Sequence, residues 1–221
     1  HKIDGGSMRW NYFSPNSRHL FDVHASAQTI NRDSYYGTDR NPDAYGLTKD
    51  LTLVAGAQYS YVMDRCLFMP AQLTLGCEYS YNDLSDHSIG TRRVLEQTVH
   101  TAGLYLQNEW RSEKVNFVVG GRLDKHSMMN NLILSPRANL RYSPHEDIGL
   151  RVSYSSGYRA PQAFDEDLHI DAVNNQSSII ELDPHLRPEY SHSLSASVDL
   201  YHNFGSLQAN LLVEGFYTIL D

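Results

Sequence analysis

No stretch of the 221 residues approaches the roughly 20 consecutive apolar residues that a membrane-crossing helix requires, and mean hydropathy is only -0.47. Strands are therefore the only way this chain crosses a bilayer, and they suit the low average, because a barrel strand shows only alternate residues to lipid. Cysteine is scarce: Cys66 and Cys77 make neither a disulfide framework nor a zinc pattern. A basic excess is missing too, with Lys+Arg 18 against Asp+Glu 26 and a net charge of -8, so no concentrated cationic face is offered to nucleic acid. Trp 2 and Phe 7 are few beside Tyr 15. A ring carrying a wet hydroxyl fits strand ends at a membrane interface. The opening HKIDGGSMRW has no basic region followed by an apolar run, so no secretory signal is read there. Enzyme constellations are also missing: no Ser/His/Asp grouping at recognisable spacing, no G-x-S-x-G turn, no glycine-rich phosphate loop. No cofactor and no resident metal are expected.

What the sequence does carry is period 2, along nearly its whole length. In Ala71 to Tyr81 one face reads Ala71, Leu73, Leu75, Cys77, Tyr79, Tyr81, and the other Gln72, Thr74, Gly76, Glu78, Ser80. Leu132 to Tyr142 sets Leu132, Leu134, Ala138, Leu140 and Tyr142 against Ser135, Arg137, Asn139 and Arg141. The same split recurs in Met8 to Phe13, Phe21 to Asn31, Leu51 to Val62, His100 to Trp110, Val115 to Asp124, Ile148 to Tyr158, Tyr190 to Tyr201 and Leu207 to Ile219. About ten strands result, mostly near the roughly 9 to 11 residues a tilted membrane strand needs and longer than sandwich strands. Pro136 interrupts one of them and is read as a local bulge.

The connections alternate in length, as bacterial barrels demand. Short links are expected at Ser14 to Ser17, Arg111 to Lys114, Ser143 to Asp147 and His202 to Gly205, with a longer one at Met63 to Pro70. Long loops are expected at Asp33 to Thr48, Asn82 to Thr98, Lys125 to Asn131 and Arg159 to Leu186. With short turns inside, Trp110, Tyr142 and Tyr201 fall at the periplasmic rim, and Tyr79, Tyr81, Tyr154 and Tyr158 toward the outer rim. The polar face is rich in small residues, among them Gly103, Gly120, Ser153, Ser155, Ser193, Ser195 and Ser197. That composition suits a wide lumen better than a small barrel filled by its own side chains. The chain stops at FYTILD directly after a strand, and the whole of 1–221 is read as a partial all-β, antiparallel transmembrane barrel wall.

Three stretches, LSPRANLRYSP, LRVSYSSGYRAPQAFDEDLH and LDPHLRPEYSHSLSASVDL, resemble the barrel of TonB-dependent outer-membrane receptors, and the resemblance extends from about Leu51 onward. Its most specific elements are Tyr158, Arg159, Ala160, Pro161, similar to the family's aromatic-Arg-Ala-Pro box, and Asp183, Pro184, His185, Leu186, Arg187, Pro188, Glu189, similar to its Asn-Pro-x-Leu-x-Pro-Glu box. Asp183 stands where the family usually has Asn. The resemblance implies a barrel of about 22 strands around a plug, in a Gram-negative outer membrane. It further implies energy-coupled import of a scarce, large ligand (ferric siderophore, haem or cobalamin), with the TonB protein contacting a segment outside this chain. The runner-up is a small stand-alone barrel with a structural or passive pore role; a soluble adhesin and a barrel hydrolase are more distant readings.

Candidate site residues follow. Tyr158, Arg159 and Pro161 are expected either to shape the outer mouth, Arg159 offering a fork of donors to a carboxylate, or simply to brace the strand end. His169 resembles in placement the outer-loop iron ligand of haem receptors. Asp165, Glu166 and Asp167 offer hard oxygens that suit calcium, although adjacent loop acids are ordinarily just solvated. Glu78, Arg122, Asp124, Arg137, Arg141 and Arg151 line the lumen, where they either meet a plug or ligand or pair across strands.

Overall fold

The computed structural model describes residues 1–35, 45–88, 93–163, 172–173, 176–177, 186–205 and 207–221. Alternating residues on an extended backbone give the strands β1 (Lys2–Phe13), β2 (His19–Tyr35), β3 (Tyr45–Cys66), β4 (Met69–Ser88) and β5 (Arg93–Arg111). They continue as β6 (Val115–His126), β7 (Ile133–His145) and β8 (Ile148–Arg159). Two short strands, β9 (Ala172–Val173) and β10 (Gln176–Ser177), pair with each other, and β11 (Glu189–Phe204) and β12 (Leu207–Leu220) end the chain. The ten long strands form one antiparallel sheet in the order β1 to β8, then β11, then β12.

Register decides the faces, because residues directly opposite each other point the same way. One row reads Trp10, Val23, Ala57, Cys77, Leu104, Leu123, Leu134 across β1 to β7. The adjacent row reads Asp22, Gln58, Gly76, Tyr105, Arg122, Ser135 across β2 to β7. From β2 to β8 the sheet is thus apolar on one side and mostly polar on the other, while on β12 Leu212 and Phe216 share the polar side, opposite Asp199 and Ser195. No second sheet covers the apolar side among the described residues: Leu75, Leu104, Leu106 and Val152 are all exposed on it. In water such a surface would forfeit about 25 cal/mol per Å², whereas lipid accepts it at no cost. Apart from Ala71 at the short-turn end, the buried apolar residues collect at the long-loop end, where Leu84, Val99 and Ile133 sit on the otherwise polar face.

The strands outrun the sequence reading. The ten long ones span 12 to 22 residues; β2 and β3 take up the two ends of Asp33 to Thr48, and β4 and β5 most of Asn82 to Thr98, stretches expected as loops. Polar composition suggested loops there, but those residues pair through their side chains. The Thr48 hydroxyl donates to Asp86 at 2.6 Å, and Thr98 donates to Asp83 at 2.9 Å. Met63 to Pro70 shrinks likewise to a two-residue turn, since Cys66 opposes Met69. Pro136 is no bulge: it opposes Gly121 in an unbroken β6–β7 register, and the register shifts lie at Met63/Cys66 and Tyr142/His145, beside short turns. The β7–β8 pairing begins only at Arg137, so the missing proline N–H is not demanded by that ladder.

Aromatic rings band the short-turn rim. Tyr12, Phe21 and Tyr59 follow one another at centroid distances of 6.2 and 4.8 Å, and Trp110 lies between Phe68 and Phe117 at 5.5 and 5.6 Å. Toward the long-loop end Tyr79 and Tyr154 each share a hydrogen bond with a histidine, His100 at 2.6 Å and His192 at 2.9 Å. Tyr201 lies at the short-turn end as expected, but on the polar face. Its hydroxyl donates to Asp199 at 2.8 Å, and it opposes Asn210, so it is not part of the apolar band.

Candidate functional site

The polar face is organised by glycines. Across β2 to β6 the row His24, Gly56, Glu78, Gly103, Asp124 alternates large and absent side chains. Each gap is filled by a neighbour lying flat on the sheet: a Cβ on Gly56 would come within 2.6 Å of the His24 ring, and one on Gly103 within 2.4 Å of the Arg122 guanidinium. Glycine is required here for close approach rather than for a special φ.

Laid over those glycines is a chain of charges from β1 to β6. Arg9 pairs with Asp22, which also accepts from Asn11 at 2.7 Å. His24 Nδ1 stands 3.3 Å from Asp22, and its Nε2 stands 3.9 Å from Glu78. Arg122 then bridges Glu78 at 3.1 Å and Asp124 at 2.7 Å. Asp22 and Asp124 are buried beneath it. Beside the chain lies an open cavity of about 500 Å³, lined by Gln58, Glu78, Tyr105, Arg122, Arg137 and Ser155 among others. Charges fixed at this density on a concave polar wall give a strong local field, the feature that concentrates and orients charged molecules.

At the long-loop end the chain leaving β8 turns onto this same polar face. Ala160 packs with Met129, Ile133 and Tyr158, and Ala163 with Leu84 and Leu95. Gln97 of β5 holds Ala163 twice: its Nε2 donates to the Ala163 carbonyl at 3.0 Å, and its Oε1 accepts from the Ala163 N–H at 2.9 Å. His126 Nδ1 accepts from the Met128 N–H at 3.2 Å, which leaves Nε2 to donate to Gln162 Oε1 at 2.9 Å. The first four residues after β8 thereby pass inside β7 and β6 to reach β5 and β4.

The structure brings the two sequence boxes side by side. Tyr158 opposes Tyr190, and Arg159 opposes Glu189, the last residue of the second box. Tyr158, Pro161 and Pro188 are half-buried, Ala160 is buried, and Arg159 and Leu186 are exposed. Asp165, Glu166, Asp167 and His169, and Asp183, Pro184 and His185 of the second box, lie outside the described residues. Of the lumen charges read from sequence, Glu78, Arg122 and Asp124 join one network, whereas Arg137 turns to Gln107 and Arg141 opposes Arg151. Gln97, His126, Gln162 and Ala163 were not anticipated. Their partners lie up to 66 positions away in sequence, so only the register between strands brings them together.

Comparison with known proteins agrees with this architecture. The crystal structure of the siderophore receptor PirA from Acinetobacter baumannii superposes with a TM-score of 0.67 at 14% identity, over 99% of this chain and 42% of that one. The FrpB iron transporter from Neisseria meningitidis gives 0.67 at 14% identity, over 99% and 36%. The ferric enterobactin receptor PfeA from Pseudomonas aeruginosa gives 0.68 at 16%, over 95% and 34%. The chain thus spans well under half the length of these structures, and at such identities they bear on the fold alone. No curated protein matches the sequence. The family model for the TonB dependent receptor-like β-barrel, however, matches residues 3–219, the whole run of strands just described. This two-faced wall, with its two boxes paired at the ends of β8 and β11, belongs to the TonB-dependent receptor β-barrel family.

Proposed function

We propose that this chain is part of the barrel wall of an outer-membrane receptor that imports a ferric siderophore, with energy coupled through the TonB protein acting on a segment outside these residues. The observation that carries the reading is the polar face: a fixed charge network and an open cavity beneath a mouth into which the β8–β11 connection turns. The structural neighbours, two siderophore receptors and an iron transporter, favour a ferric siderophore over haem or cobalamin. Membership of the family also favours a Gram-negative outer membrane as the location and its lipid as the surroundings of the apolar face. Tyr158, Arg159 and Pro161 shape the outer mouth in this reading, with Arg159 beside Glu189 at the strand ends. Asp165 and His169 follow directly in the same connection and are offered to the ligand as it enters.

A passive small barrel finds less support. Among the described residues β1 and β12 are the two edges of an open sheet, and unpaired edges in lipid leave backbone groups without partners. A wall continued by further strands removes that cost.

The test is growth rescue. The full-length gene is expressed in an iron-limited host lacking its own iron receptors, supplied singly with ferric enterobactin, ferripyoverdine or haem, and in a cobalamin-requiring host lacking its own cobalamin receptor, supplied with cobalamin. Rescue by a ferric siderophore that disappears when TonB is deleted is the expected result. Rescue by haem or cobalamin alone, or rescue independent of TonB, overturns the proposal.

A further inference from the structure

We infer that Gln97 is a positioning residue of the mouth, clamping the segment that carries the end of the Arg-Ala-Pro box against the inner face of the wall so that residues 160–163 form a fixed part of the entrance. Its bearing on ligand rests on the import reading above; the clamp itself does not.

A segment that leaves a sheet and crosses to buried ground must find partners for its N–H and C=O, because each group left unsatisfied forfeits its hydration without return. Ala163 is 5% exposed and has left the ladder of β8. Gln97, itself 8% exposed, meets both of its backbone groups with one primary amide, the arrangement a neighbouring strand would otherwise supply. Among the natural side chains only Gln and Asn carry donor and acceptor in that pattern, and Gln has the longer reach. Two further contacts make the position specific. Ala163 packs between Leu84 and Leu95, and His126, 3% exposed, fixes Gln162 next door. Strands β4, β5 and β6 therefore all hold one short segment that belongs to the end of β8. Leu84 and Leu95, apolar residues on the inner face, are covered by this segment. Held in this way, residues 160–163 lie beside the upper end of the charge network, where His126 follows Asp124 on β6.

The experiment uses the full-length receptor in outer membranes, with Cys66 and Cys77 changed to serine. An Ala160→Cys reporter, normally 8% exposed, is labelled with a membrane-impermeant maleimide, and a Ser60→Cys reporter on β3, 1% exposed, serves as the reference. Gln97→Leu keeps the bulk and removes both hydrogen bonds. It should raise labelling at 160 by about tenfold or more, the effect of freeing a locally held segment, while labelling at 60 is unchanged. Ala163→Pro, which deletes the N–H from the other side, should give the same rise, and the double variant no more than either single one. No rise at 160, or an equal rise at 60, overturns the clamp. In a second arm, uptake of radio-iron supplied as ferric enterobactin or as ferripyoverdine is measured. The half-saturating concentration should rise severalfold with the maximal rate little changed, and an unchanged value overturns the positioning role. If neither complex is imported by the parent receptor, the import reading fails, and the labelling result alone decides the clamp.

Discussion

The Tyr105 ring lies flat over Gly76 of the neighbouring strand: a Cβ on Gly76 would stand 2.2 Å from the ring, and the tyrosine hydroxyl donates to Gln58 at 2.9 Å on the far side. Phenol, glycine and amide thus form a three-strand unit across β3, β4 and β5. Gly76→Ala must push the ring off the sheet and break the bond to Gln58, at a cost of about 1 to 2 kcal/mol. In a Tyr105→Ala background the same alanine meets no ring, and its cost should nearly vanish. Urea unfolding of the full-length receptor in vesicles, run as a double-mutant cycle, measures the coupling. Additive effects would mean that the ring does not need the glycine.

Arg122 joins Glu78 to Asp124, and Asp124 is 3% exposed. Arg122→Met removes the guanidinium but keeps much of its apolar stem, leaving a buried carboxylate that no other described ion pair satisfies. The expected loss is about 2 to 3 kcal/mol, larger than for Arg9→Met, because Asp22 retains Asn11 and His24. Replacing Asp124 by Asn in the Arg122→Met protein should recover part of the loss, since the stranded charge is then gone. The comparison is read from denaturant midpoints at constant ionic strength. Equal losses for the two arginines would argue against a network carried by Arg122.

Much of this fold was legible in the sequence, and the reason is the strand period itself. Leu73, Leu75, Cys77 and Tyr79 could only share a face, whichever strands lay beside them. The resemblance around Tyr158 to Pro161 added the family, and both readings survive. What was not legible depends on which residues oppose each other. Leu84, Leu95 and Gln97 fell inside a stretch expected as a loop; only register puts them on the inner face of β4 and β5, where Ala163 meets Gln97 from 66 positions away. Polar strand extensions such as Thr48 with Asp86 were mistaken for loops, because composition alone does not register side chains that satisfy one another.

The orientation of the wall carries its own test. Leu106 faces the apolar side, in the row with Leu75 and Gly121, while Ser153 faces the polar side, opposite Asn139. Leu106→Arg should cost about 2 to 4 kcal/mol of folding free energy in a bilayer, the toll of a cation on the lipid face near the midplane. Ser153→Arg meets water and loses only the hydrogen bond its hydroxyl accepts from Asn139 at 2.7 Å, so it should cost no more than about 1 kcal/mol. Folding of the full-length receptor into phospholipid vesicles, followed by heat-modifiable mobility, separates the two. Equal tolerance of both would reverse the assignment of faces.

The tight turn between β3 and β4 stores strain that a single substitution relieves. Leu67 has φ of 62°, the Phe68 N–H donates back to the Cys66 carbonyl at 2.9 Å, and the same carbonyl accepts the Trp110 indole N–H at 2.9 Å. A left-handed conformation at a leucine costs about 1 to 2 kcal/mol that glycine escapes, whereas the side chain is 78% exposed and loses little packing when removed. Leu67→Gly should therefore stabilise the receptor by about 0.5 to 1 kcal/mol, the strain relieved minus the extra chain entropy glycine brings to the unfolded state. Gly205 between β11 and β12 has φ of 63° and supplies the converse, so Gly205→Leu should destabilise by a similar amount. Opposite signs at two turns on one rim, read from urea midpoints, distinguish backbone strain from any general preference of that rim for apolar side chains. A loss on Leu67→Gly would show instead that the leucine holds the turn at the membrane interface.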